Sequence, residues 1–309
     1  MRISTAWSQQ LGVNGMLDRQ AKLTHTQMQL ASGKKILTAS DNAAAAARSV
    51  DLNYSINQTN QYQSNIDAAQ QRLELEDGLL QSAVNILHRV KELAIQGMSG
   101  ANTQTDRDTI ALEIEELNDN MLGLANTRNS NGEYVFSGYK STVPAFAKDT
   151  KFDNAYVYQG DEHFRSIQIS VERQVADGDP GTKAFGNPSV ATATEALKPG
   201  SIENVFEAMT RFTHDLRTNN ADTASLDDFD NALERMLVVE SSVGVRLNAL
   251  DNQRSLNEDF ILNMKTVLSS TEDLDYTEAI SRFNLENMTL QAAQQAFSQV
   301  KKLSLFNYL

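Results

Sequence analysis

Apolar residues return every seventh position through much of the first half of this chain. Leu52, Ile66, Leu73, Leu80, Leu87 and Ala94 share one register, in which Thr59 fills the remaining slot. Tyr62, Ala69, Ala83 and Val90 lie three residues further on in a second register. Two such rows sustained over six heptads are the a and d positions of a long helix that packs nearly parallel or antiparallel to another. One position breaks the pattern: Glu76 stands where an apolar residue is due. After a Gly/Asn break at 97–105, Ile110, Ile114, Leu117, Met121 and Leu124 form one stripe and predict a second helix. In the C-terminal half, Leu226, Leu233, Leu247, Ile261 and Leu268 interleave with Phe229, Met236, Val243, Leu250 and Met264, again with a period of seven.

The centre follows another rule. All four prolines (Pro144, Pro180, Pro188 and Pro199) lie there, and eight of the 21 aromatic residues fall between Tyr134 and Phe164. Both flanks lack the strongest helix breaker. EYVFSGY, AYVYQG and FRSIQISVER cluster or alternate β-formers between Gly, Asn and Asp, and Ile167, Ile169 and Val171 should share one strand face. The expected fold is therefore mainly α, with long coiled-coil-like helical arms from both ends of the chain and an inserted β-rich domain. The expected division is 1–40 with 275–309 as a terminal helical assembly domain, 41–137 with 201–274 as a helical coiled-coil domain, and 138–200 as an outer β-rich domain.

The two ends differ from the arms. Residues 1–33 hold only four charges (Arg2, Asp18, Arg19, Lys22) and 277–309 hold five, against 22% charged residues overall. Ile3, Trp7, Leu11, Leu17 and Leu23 give an irregular apolar stripe at one end. Phe283, Leu290 and Phe297 line the other, which closes on Leu303, Leu305, Phe306, Tyr308 and Leu309. A single helix cannot bury such a face, because helical stability comes mostly from packing. These thirteen residues are therefore the expected assembly interface, buried against neighbouring molecules.

Composition narrows the chemistry. A formal charge of -13 and a pI near 4.8 argue against nucleic acid and anionic membranes, which need clustered Lys and Arg. The absence of Cys removes disulfides, thiolate metal sites and cysteine nucleophiles. No run approaches 18 apolar residues, and the start has no basic segment followed by an apolar core, so neither a membrane span nor a cleaved secretory signal is expected. Asn and Gln number 47, which lets polar faces pack without burying charge.

His25, His88, His163 and His214 are scattered, with no pair at the spacing of a zinc helix. Glu113 and Glu116 read as a solvated flank, Asp227 and Asp228 as first-turn residues, and DGDP at 177–180 as a turn lacking calcium-ligand spacing. No phosphate-cradling or nucleophile-elbow motif occurs. Neither catalysis, a cofactor nor a metal is expected.

Three stretches carry a family resemblance. ASGKKILTASDNAAAAARS at 31–49 resembles the turn and alanine-rich helix start of bacterial flagellins. NGEYVFSGYKS at 131–141 is similar to the segment by which the family's hook–filament junction members leave their helices for a β domain. Residues 273–309 resemble the C-terminal helix of those members, down to the LSLFNYL ending.

The resemblance implies a secreted, extracellular structural subunit of the bacterial flagellum that assembles with itself in a ring or helical zone. It would join a hook-side junction protein to the flagellin filament. It further implies export by the flagellum's own type III route and an export chaperone at the C-terminal end. Ala39 and Ala43 stand where junction members often carry proline, which should let the helix start earlier. Two rival readings are a filament-forming flagellin and a secreted helical effector or adhesin. Extended self-polymerisation on filament seeds would mark the first, and indifference of motility to removal of 300–309 the second.

Overall fold

A computed structural model describes residues 2–149, 151, 155–189 and 196–302. The chain runs α1 (Arg2–Ser32), α2 (Ala43–Gly97), α3 (Gln104–Ala125), β1 (Phe146–Lys148), β2 (Tyr156–Tyr158), β3 (Ser166–Gln168), β4 (Gln174–Ala176), α4 (Gly181–Phe185), α5 (Val205–Arg217), α6 (Ala224–Glu272) and α7 (Tyr276–Lys302). It divides into two compact units, residues 1–59 with 259–309 and residues 60–258, and the long helices α2 and α6 contribute to both.

In the unit formed by 60–258 the heptad registers do what the sequence asks. Ile66, Ala69, Leu73, Leu80, Ala83, Leu87, Val90 and Ala94 are buried on α2, and Phe229, Met236, Val243 and Leu250 are buried on α6. Helix α3 starts at a reciprocal cap, in which Thr103 and Asp106 each accept from the other's backbone N–H. It packs against α5 and buries Ile110, Ile114 and Met121. Helix α5 repeats the pattern in miniature, burying Val205 with Phe212 and Met209 with Leu216; Asn204 caps it through the N–H groups of Phe206 and Glu207.

The centre contains two antiparallel hairpins of three-residue strands, β1 with β2 and β3 with β4. Ile169 is buried but Val171 is exposed, contrary to the shared face expected for them. Strand β3 ends at Gln168, and the N–H groups of Ile169 and Ser170 both reach Arg173 O, so the chain is already turning when it arrives at Val171. EYVFSGY forms no strand, only an isolated bridge between Arg128 and Tyr134. Aromatic edges join the hairpins to the helical core: Phe146 lies 5.0 Å from Phe206, and Phe185 packs on Phe136 at 5.2 Å. Buried Asn118 on α3 donates to Tyr156 Oη at 3.0 Å, to Thr210 Oγ1 at 3.0 Å and to Phe206 O at 3.2 Å.

In the other unit, Ile56 on α2 and Ile261 and Met264 on α6 form a small cluster flanked by Leu52 and Leu268. Helix α2 does not extend back to Ala39. Asp41 accepts the N–H groups of Leu37 and Thr38, both at 2.9 Å, and Asn42 accepts that of Ala45 at 3.0 Å. This Asx chemistry fixes the helix start at Ala43. The same backbone donors hold the Asp41 carboxyl below its ordinary range.

Candidate functional site

Helices α1 and α7 pair along their length. Near one end, a Cβ on Gly33 would sit 2.8 Å from Tyr276 Oη. Four residues earlier on α1, Gln29 accepts from Arg282 at 3.2 Å. Further along, Gly15, Asp18, Arg19 and Lys22 share a groove of about 280 Å³ with Glu286 and Thr289. Beyond that, Gly12 faces Phe297. Residue numbers fall on one helix as they rise on the other, so the pair is antiparallel.

Among the residues at least half-buried along this pair, one row on each helix keeps four-and-three spacing: Gly12, Met16, Leu23, Thr26 and Leu30 on α1, and Ala279, Phe283, Leu290, Ala293 and Phe297 on α7. This is a two-helix seam inside one chain. Gly12 belongs to it for a steric reason. A Cβ there would meet Phe297 ring carbons at 3.0 and 3.2 Å, so glycine lets the ring lie on the α1 backbone.

The connections at the base of the pair are bonded to each other. Lys35 N donates to Glu272 O at 2.8 Å, Leu274 N to Gly33 O at 2.9 Å, and Lys34 Nζ reaches the Glu272 carboxylate at 2.7 Å. The lysine bond holds that carboxyl below its ordinary range. Gln29, almost fully buried, donates to Lys35 O at 2.7 Å. Gly33 adopts a φ of 71°, the left-handed turn that ends α1. The GKK stretch is thus a clasp that fixes where α1 leaves α2 and where α6 meets α7.

The structure divides the thirteen expected interface residues. Leu23, Phe283, Leu290 and Phe297 lie in the intramolecular seam. Trp7, Leu11 and Leu17 face outward and are 67%, 50% and 57% exposed. Ile3 lies in α1, but its side chain is outside the described residues, as are Leu303, Leu305, Phe306, Tyr308 and Leu309. Outward apolar positions that the sequence reading did not single out include Met28, Ile280, Leu285 and Met288. Their signal was phase: on α7 they fall between the residues spaced by seven, where an isolated soluble pair would carry charge.

Among the described residues, no three metal-capable side chains gather, and no helix is long and apolar enough to cross a membrane. His25 and His163 each lie beside one aspartate, Asp41 at 3.7 Å and Asp161 at 3.0 Å. Glu113 pairs with Arg89 at the α3 flank. Asp228 does more than a first-turn charge: it is buried and accepts the N–H groups of Gly200 and Ile202 at 2.8 and 2.9 Å.

Known protein families agree with this helical architecture. The N-terminal helical region of bacterial flagellin matches residues 3–141, and its C-terminal helical region matches residues 226–309. The chain belongs to the bacterial flagellin family.

Within that family it is 29% identical over 318 residues to flagellar hook-associated protein 3 of Escherichia coli, and the alignment covers 99% of both chains. It is 27% identical, with the same coverage, to the protein of that name in Salmonella typhimurium. Flagellar hook-associated protein-3 of Legionella pneumophila shares the fold, with a TM-score of 0.62 at 23% identity over 71% of this chain and 97% of the solved one. This flagellin-family chain thus combines matched helical ends with a short central region, and its α1–α7 pair lies inside the matched segments.

Proposed function

We propose that the chain is a structural subunit of the flagellum that joins the hook to the flagellin filament. The observation that carries this reading is the outward face of the α1–α7 pair. A two-helix pair with Trp7, Leu11, Leu17, Leu285 and Met288 open to water lacks the wall those side chains need. Family membership supplies the setting, and near-complete alignment with two hook-associated proteins favours the junction over other roles. In an array of copies, neighbours cover the outward residues while Leu23, Phe283, Leu290 and Phe297 keep each pair together.

The three zones then have distinct tasks. Residues 1–40 with 275–309 form the inner assembly pair, 41–137 with 201–274 the surrounding helical shell, and 138–200 the outward face. One edge of the zone meets a hook-side junction protein and the other meets flagellin, with unlike contacts at the two edges. The chain reaches the cell exterior by the flagellar export route, with a chaperone at its C-terminal end. The role is architectural and needs no catalysis or cofactor.

Gold-labelled antibody against 138–200 should mark one narrow band at the far end of the hook. Label along the filament would establish the second reading, a filament-forming flagellin, which family membership keeps open. Label away from the flagellum would overturn both.

A further inference from the structure

The break in the α2 heptad pattern is a carboxyl group enclosed by the fold. Glu76 occupies a seam position and is fully buried. One carboxyl oxygen accepts the N–H of Asp179 at 3.2 Å, while the other has no hydrogen-bond partner. The loop above it is the DGDP stretch, which joins β4 to α4. Buried Asp177 in that loop is bound by Arg165 at 2.8 Å and approached by Arg72 at 3.5 Å. Asp179 is paired with Arg246 of α6, whose guanidinium also donates to Ala176 O at 3.2 Å. Glu133 takes the remaining reach of Arg72, at 2.7 Å, and of Arg165, at 3.6 Å.

The charge balance of this cluster decides the state of Glu76. Arg72, Arg165 and Arg246 provide three cations, and Asp177, Asp179 and Glu133 already engage them as three anions. An ionised Glu76 would be a fourth anion, enclosed, with one oxygen bare. A protonated one leaves the cluster neutral and still accepts from Asp179. Burying an uncompensated charge costs far more than leaving one hydroxyl unpaired.

We propose that seating of the 177–180 loop on the α2 seam is a proton-linked latch: Glu76 carries a proton while the loop is docked and releases it when the loop lifts. Burial and the neighbouring Asp179 carboxylate push the Glu76 carboxyl up to about 8, from 4.5 when free. Because the docked form holds the proton more tightly, docking is fully favoured below the free value and weakens as pH rises towards about 8. The docking equilibrium should fall about tenfold per pH unit across that window. The device makes attachment of the central hairpins to the helical shell sensitive to local acidity near neutrality. It does not depend on the chain's place in the flagellum.

The test is amide exchange in the full-length chain, corrected for the intrinsic pH dependence of exchange. Between pH 6 and pH 8, protection at residues 174–181 should drop at least tenfold in the wild type and stay level in Glu76→Gln, which keeps the acceptor for Asp179 N–H. Equal pH dependence in both proteins, or none in the wild type, overturns the latch. If the variant does not fold, carboxyl-carbon NMR of wild-type Glu76 decides the matter. A titration midpoint above 7 supports the latch, and one between 4 and 5 rules it out.

Discussion

Two sets of apolar residues on one helix pair should respond to polar substitution in opposite ways. Trp7, Leu11 and Leu17 are already 67%, 50% and 57% exposed in the single chain. Replacing all three by Ser should therefore change monomer stability by no more than about 0.5 kcal/mol per site, as at other surface positions. On the proposed function, neighbouring copies cover their remaining surface. Full burial of such a side chain contributes about 1.5–3 kcal/mol, so burying the exposed three-fifths contributes about 1–2 kcal/mol each. The triple variant should lose about 4 kcal/mol of assembly free energy, or roughly three decades in the concentration needed to occupy the junction.

Phe283, Leu290 and Phe297 should behave the other way, since α1 already covers them partly within the chain. Their triple Ser variant should separate α1 from α7 in the monomer, at a cost of about 3–4 kcal/mol for three half-buried side chains. The assay pairs two readings on both variants: amide exchange of α1 and α7 in dilute monomer, and occupancy of hook ends by purified subunit. The outward variant should keep monomer protection and lose occupancy, whereas the inward variant should lose both. If the outward variant loses monomer protection, those residues are covered within the chain and the division fails. If it occupies hook ends normally, the outward face is not an assembly surface.

Other perturbations test the frame and the termini. Gly186→Ala should destabilise residues 60–258 by more than about 3 kcal/mol, because Gly186 has a φ of 82° and a Cβ there would lie 2.0 Å from Glu203 O; thermal unfolding reads this directly. Asp228→Ala strands the N–H groups of Gly200 and Ile202 and should cost about 3 kcal/mol in urea unfolding, with little change in α1–α7 protection. Deleting 303–309 should leave residues 60–258 folded by circular dichroism but abolish stable attachment at the hook, and normal motility in that mutant would count against a junction role.

How much of this was legible depends on which interactions leave a period in the chain. The α2 and α6 seams were readable because burial on one side of a long helix repeats every seven residues, and each register met a buried side chain. Helix α5 leaves the same kind of signal in a shorter span: Val205, Met209, Phe212 and Leu216 keep four-and-three spacing and are all buried, but thirteen residues hold too few repeats to stand out beside the long arms. The hairpins were readable as β-forming composition but not in extent: three-residue pairings are too short to show alternation, so Val171 looked like a continuation when it sits in a turn. At the chain ends, Phe283, Leu290 and Phe297, spaced by seven and expected to face neighbouring molecules, are part-buried within the chain, a distinction that spacing does not carry. Spacing records that a face is buried, not whose surface buries it.

Glu76 shows the converse. Read as a pattern it is a fault in a heptad; read as chemistry it is the one seam position where α2 contacts a backbone N–H instead of a side chain. A leucine there would complete the register but could not accept from Asp179, whose N–H would then be buried without a partner. The glutamate therefore helps set where along α2 the 177–180 loop docks, because this rung of the seam offers the loop's Asp179 N–H an acceptor. Glu76→Leu tests that step apart from titration: the α2–α6 seam should tighten or hold while 174–181 loses protection at every pH. If protection of the loop survived in the leucine variant, apolar packing alone would be holding it, and the acceptor would not select the register.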